Sequence, residues 1–167
     1  MRARRVIACL ATIAVADYVI LRHPPRWHAI ALFDHPAHVA TAILIGGPGR
    51  GTDPVYLAGS LLPDVDHIPM ALGSPSPGDP RPKTHSIVGP LAVAPFSRRL
   101  AGGMLAHLAR DLGMKPGVPL FAPVSDRAVR IPYALYAGAL IAAAVWCAGP
   151  GSAARSAATS APTTGSA

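Results

Sequence analysis

Asp64-Val65-Asp66-His67 puts three side chains able to bind a metal into four residues, directly after Leu61-Leu62-Pro63. An Asp pair following a proline is commonly just a solvated turn, because Asp tolerates irregular backbone. Here Leu61, Leu62, Ile68, Pro69 and Met70 flank it, which places the turn against a core. Two carboxylates held there repel each other unless a cation lies between them. His107 and Asp111 stand four residues apart in a helical stretch, so both project from one face, beside the apolar stripe of Leu105, Leu108 and Leu112. That pair is either a metal clamp or an ordinary intrahelical contact. His85, in Thr84-His85-Ser86, sits at a predicted helix start, which favours a neutral ring near an anion. His38 opens an apolar helix, whereas His23, His28 and His35 read as loop residues. Nitrogen and carboxylate donors without cysteine fit zinc, and also manganese or iron, and the pool is too large for one tetrahedral ion. Two or more divalent ions would use it better. Water is then the expected nucleophile, with Asp64 or Asp66 as the catalytic carboxylate that orients it or takes its proton. Arg81, Lys83 and Arg110 are the candidates for balancing substrate charge.

These residues must be held by an unusual scaffold. The 167 residues suffice for one domain, and 51% are hydrophobic but only 14% charged. Soluble domains carry about a quarter charged residues, so the composition points to a lipid bilayer as partner. Cys9 and Cys147 both lie in apolar runs, which leaves no disulfide framework. The net charge of +7 is uneven: residues 1–27 carry +4, residues 28–80 carry −4 and residues 81–167 carry +7. Every acid is Asp, and five of the seven His fall between His35 and His107, in and just after the acidic stretch. The basic residues sit towards the ends without interleaved aromatics, so no direct nucleic-acid partner is expected.

Arg2, Arg4 and Arg5 precede the apolar run Val6–Leu21, which reads as an anchor. The Ala14-Val15-Ala16 pattern before Asp17 leaves a cleaved signal as the alternative. A helix over Pro36–Ile45 should end at Gly46-Gly47-Pro48-Gly49, and Asp53-Pro54 should cap a helix over Val55–Leu62 that Pro63 closes. Residues 72–83 read as an irregular Pro-rich loop, followed by a segment over Ile87–Phe96 and a helix over Leu100–Leu112 ending at Gly113. Ile131–Ala148 is uncharged, with Tyr133, Tyr136 and Trp146 near its ends, and is the best predicted span. The expected fold is all-α, a membrane-embedded bundle of short Pro/Gly-interrupted helices around a polar metal site. Three segments are expected: residues 1–30 as anchor or signal-like segment, 31–148 as the helical membrane domain, and 149–167 as a disordered tail.

The order of these motifs resembles the inner-membrane-associated, metal-dependent hydrolase family whose members are also described as LexA-binding. The matching pieces are PAHVATAILI at 36–45, GSLLPDVDHIP at 59–69, RPKTHS at 81–86, AHLARDLGMKPGVPLFAPVS at 106–125 and, in the manner of the actinobacterial branch, RIPYALYAG at 130–138. Many members carry an Arg-Gly pair where this chain has Pro82-Lys83. The resemblance implies His38, Asp64, Asp66, His67, His85, His107 and Asp111 as the metal-site residues, zinc as the ion, and a multi-pass protein of the inner (plasma) membrane. Its helical metal core is similar to those of zinc-dependent phospholipase C and fungal single-strand nucleases. A phosphoester of a lipid or envelope intermediate is therefore the implied substrate. The alternative is a non-catalytic, metal-stabilised membrane protein that docks a regulatory partner.

Overall fold

The computed structural model describes residues 1, 3–25, 27–68 and 84–149, apart from the side chains of Trp27, His28 and Asp66. The chain forms α1 (Ala3–Arg22), α2 (Trp27–Arg50), α3 (Pro54–Gly59), a 3-10 turn (Leu62–His67), α4 (Val88–Val93), α5 (Arg98–Gly113) and α6 (Tyr133–Ala148). An isolated antiparallel bridge joins Val118 and Val129, and no strand occurs among the described residues. The all-helical architecture agrees with the sequence reading. The predicted loop at 72–83 and the tail beyond Gly149 lie outside the described residues.

Helix boundaries follow local chemistry, with three departures from expectation. α2 begins at Trp27 rather than Pro36, so Pro36 lies inside it and Asp34 and His35 are helical. The helix breaks at Gly47 (φ 61, ψ −157), where the glycine run predicted an end, and a Cβ there would meet Trp146 at 2.5 Å. Asp53 caps α3 as expected, its Oδ1 accepting from Val55 N at 2.9 Å. That helix stops at Gly59, however, and Pro63 does not close it; Pro63 lies near the start of the 3-10 turn that carries Asp64 and His67. Ser97 caps α5, its Oγ accepting from Leu100 N at 3.2 Å. Finally, α6 has 16 residues, so it is about 24 Å long against a hydrocarbon core of about 30 Å. The predicted span Ile131–Ala148 is correspondingly shorter than expected. Among the described residues, Ala29–Arg50 is the helix long and apolar enough to cross a membrane.

The main core joins α1, α2 and α6. Val6, Cys9, Ile13 and Ala16 of α1 pack with Ala37, Ala40 and Leu44 of α2 and with Tyr136, Leu140, Ala144 and Cys147 of α6. The N-terminal helix is thus built into the bundle. A smaller cluster of Ala42, Tyr56 and Ala106 ties α2, α3 and α5 together. There α3 and α5 meet backbone to backbone: a Cβ on Gly103 would run into the Tyr56 carbonyl, and one on Gly59 into that of Leu100. This close approach sets the position of Ser60, the residue that follows α3.

Candidate metal centre

Four segments deliver their polar side chains to one place. α2 supplies Asp34 and His35, with His38 one turn further along the helix. The 3-10 turn supplies Asp64 and His67, and the turn before α4 supplies His85. α5 supplies His107 and Asp111.

The ligand-type atoms face one another at separations that suit shared cations. His107 Nε2 lies 3.1 Å from Asp111 Oδ2 and 3.6 Å from Asp64 Oδ1, while His85 Nε2 lies 3.4 Å from Asp64 Oδ1 and 3.8 Å from Asp111 Oδ2. Most of these exceed a good hydrogen bond. Tetrahedral zinc with bonds of about 2.0–2.1 Å has ligand atoms roughly 3.3 Å apart, close to the observed spacing. On the other side of Asp111, Oδ1 lies 3.6 Å from His38 Nε2, which is 3.5 Å from Asp34 Oδ2. Asp111 therefore points one oxygen at each of two ligand groups. Asp64 works similarly, with His67 Nδ1 3.4 Å from Oδ1 and His35 Nε2 3.4 Å from Oδ2.

The histidine tautomers support this reading. His107 Nδ1 donates to the Ser60 carbonyl at 2.8 Å, which leaves Nε2 as the lone-pair nitrogen facing the carboxylates. That Nε2 is buried and makes no hydrogen bond among the described residues. An orphaned buried lone pair is costly unless something absent from the polypeptide satisfies it. His38 and His107 also stack, with ring centroids 3.7 Å apart and planes 6° from parallel, an arrangement that neutral rings accept and paired imidazolium ions would not. Burial works to raise the Asp64 carboxyl, but contacts with His35, His67 and His85 outweigh it and hold the group well below the usual carboxylate range. The donor set fits one or more divalent cations.

Access is one-sided. His85, His107 and Asp111 are at most 3% exposed, whereas Asp64 is 13%, His67 18% and His35 46% exposed. The cluster has a sealed wall and an open face. Among the described residues, an open groove of about 480 Å³ lined by Ile45, Arg50, Tyr56, Leu105 and Trp146 includes none of these ligand residues.

The structure brings together His38, Asp64, His67, His85, His107 and Asp111. Asp66 lies in the 3-10 turn, but its side chain, like all of Arg81 and Lys83, lies outside the described residues. Arg110 departs from the substrate-contacting position expected of it. It is fully buried, with Nη1 2.8 Å from Asp17 Oδ1 and 3.1 Å from Tyr136 Oη. Its Nε and Nη2 both donate to Asp34 Oδ1, at 3.1 and 2.9 Å. Although burial works against its charge, Asp34, Tyr136 and Asp17 more than compensate and keep it protonated. Asp34 and His35 join the cluster although the sequence pattern does not single them out. The available signal was the i, i+4 spacing of Asp34 and His38, the same as that of His107 and Asp111.

The model of a family described as YdjM inner membrane protein matches residues 29–164. No curated protein and no solved structure matches the chain.

Proposed function

We propose that this chain, which belongs to the YdjM inner membrane protein family, is a membrane-bound, metal-dependent hydrolase that cleaves a phosphoester by attack of water. One observation carries this reading: Asp64, His85, His107 and Asp111 converge with N-to-O separations of 3.1–3.8 Å, on a cluster open at one face. A closed site would favour a structural ion, whereas an open face leaves room for water and substrate. Zinc is the ion proposed, in two or more copies, since Asp111 and Asp64 each serve more than one group of ligands. Divalent ions held there would supply Lewis acidity and a nucleophilic water near neutral pH.

The chain's own residues then divide the work. His107 is oriented by Ser60, and Asp111 links the two inner groups. Asp64, on the open side and held ionised, would orient the water by accepting its hydrogen bond. The corresponding role of Asp66, and charge balance by Arg81 and Lys83, rest on the sequence. A lipid or envelope phosphoester suits the surroundings. α1, α2 and α6 turn Ile7, Val15, Leu32, Leu135, Ile141 and Val145 outward, each more than half exposed. That suits a bundle seated in hydrocarbon, with Ala29–Arg50 as the helix long enough to cross it.

The test is hydrolysis of p-nitrophenyl phosphodiester and monoester probes by detergent-purified, zinc-loaded protein. Turnover that Asp64→Ala abolishes and chelation removes is the expected result. Absence of turnover on both probes would reject the assignment.

A further inference from the structure

Asp34 has two oxygens in different company. Oδ1 receives two N–H groups of Arg110, at 2.9 and 3.1 Å, while Oδ2 faces His38 Nε2 at 3.5 Å. On its other edge the guanidinium donates from Nη1 to Tyr136 Oη at 3.1 Å and ion-pairs with Asp17 Oδ1 at 2.8 Å, while Asp17 Oδ2 accepts from Tyr133 Oη at 2.9 Å. Asp17 is 2% exposed and Arg110 is 0% exposed, so neither meets solvent. A planar fork with one carboxylate on each side admits few orientations. The charges also matter. One guanidinium shared between two carboxylates leaves a net negative charge, whereas an Arg110–Asp34 pair alone would be neutral and a poor cation site.

We propose that Arg110, pinned by Asp17 of the N-terminal helix, is the positioning residue for Asp34: it captures Oδ1 and so presents Oδ2 to a divalent cation beside His38 and Asp111. The guanidinium touches neither cation nor substrate. Asp17 keeps Asp34 from being fully neutralised, which makes α1 part of the metal centre although it contributes no ligand. This rests on the metal-dependent reading of the cluster and adds to it which residues fill the second subsite and what orients them.

The experiment is zinc content per chain, after equilibrium dialysis over a range of free zinc, for full-length protein in detergent. Wild type is compared with Asp34→Asn, Arg110→Gln, Arg110→Lys and Asp17→Asn, with thermal melting of each metal-free protein recorded alongside. Wild type should hold at least two ions. Asp34→Asn should weaken one of them, and Arg110→Gln should reproduce that loss, about tenfold or more in affinity, as is usual when the partner of a ligand is removed. Arg110→Lys should recover only part of it. Asp17→Asn should weaken the same ion, although it lies outside the cluster. If Arg110→Gln fails to fold, Asp17→Asn and Arg110→Lys decide the matter by the same loss. Two ions bound with unchanged affinity in the folded variants would overturn the positioning role and leave the hydrolase reading intact. A wild type that binds fewer than two ions would remove the subsite and this proposal, and hydrolysis of the phosphoester probes would then decide the broader reading separately.

Discussion

The backbone carbonyl of Ser60 accepts a hydrogen bond from His107 Nδ1 at 2.8 Å, in the buried seam where α3 and α5 touch. The bond exists because Gly59 and Gly103 let the two backbones meet, so the loss of two side chains sets the tautomer of a third. Gly103→Ala therefore sets two effects against each other. Ala gains about 1 kcal/mol of helix propensity over Gly, but its Cβ would overlap the Tyr56 carbonyl, and such overpacking costs about 1–3 kcal/mol. The clash should win. We expect a lower melting temperature together with zinc affinity reduced about 10–100-fold, measured by differential scanning fluorimetry and zinc titration. An unchanged affinity would mean that Ser60 does not orient the ring.

Asp111 should be the least replaceable carboxylate. Its Oδ1 faces His38 and its Oδ2 faces His107 and His85. Asp111→Asn should lower total bound zinc more than Asp34→Asn or His67→Ala, each of which alters one edge of the cluster. Elemental analysis of the three variants, dialysed at equal free zinc, gives the ranking directly.

Zinc affinity should fall as pH drops from 7 to 5. The sign follows from competition: a histidine ligand must be neutral to bind, and an unperturbed imidazole gains its proton near pH ~6.5. Asp64 does not cause the loss, because its carboxyl is held below the usual range and stays ionised across the interval. Zinc titrations at several pH values should show more than one proton displaced per ion. A flat profile would exclude histidine ligation.

The outward apolar positions supply a test of membrane seating. Ile141 on α6 is 58% exposed. Facing hydrocarbon, Ile141→Lys should cost about 2.5–3.5 kcal/mol of insertion free energy and reduce the carbonate-resistant membrane fraction. Facing water, it should change almost nothing.

Much of this arrangement is legible in the sequence, for identifiable reasons. Asp53-Pro54 and Gly113 mark helix ends through local backbone chemistry, and the structure places them so. The cluster at 64–67 and the 107/111 pair are short-range patterns that spacing alone brings together. Asp34 and His35 do not stand out because Pro36 signals a helix start, whereas α2 runs through it from Trp27. The role of Arg110 was illegible for a different reason: its partners Asp17 and Asp34 lie far away in sequence, on other helices. Asp17 sits in the sequence inside an apolar anchor, or in the alternative reading just after a cleavage pattern, and nothing local announces that it is buried against a guanidinium. Long-range pairing of that kind depends on how α1, α2 and α5 pack.

The central claim is that buried histidines and aspartates hold catalytic divalent ions, and His107 tests it most directly because both of its ring nitrogens are assigned. The decisive measurement is zinc content and phosphoester hydrolysis of His107→Ala beside wild type, both purified in detergent and dialysed at equal free zinc. His107→Ala should hold fewer ions per chain and lose turnover by orders of magnitude, since the ions would supply most of the rate. Wild-type zinc content or wild-type turnover in a folded His107→Ala would contradict the claim.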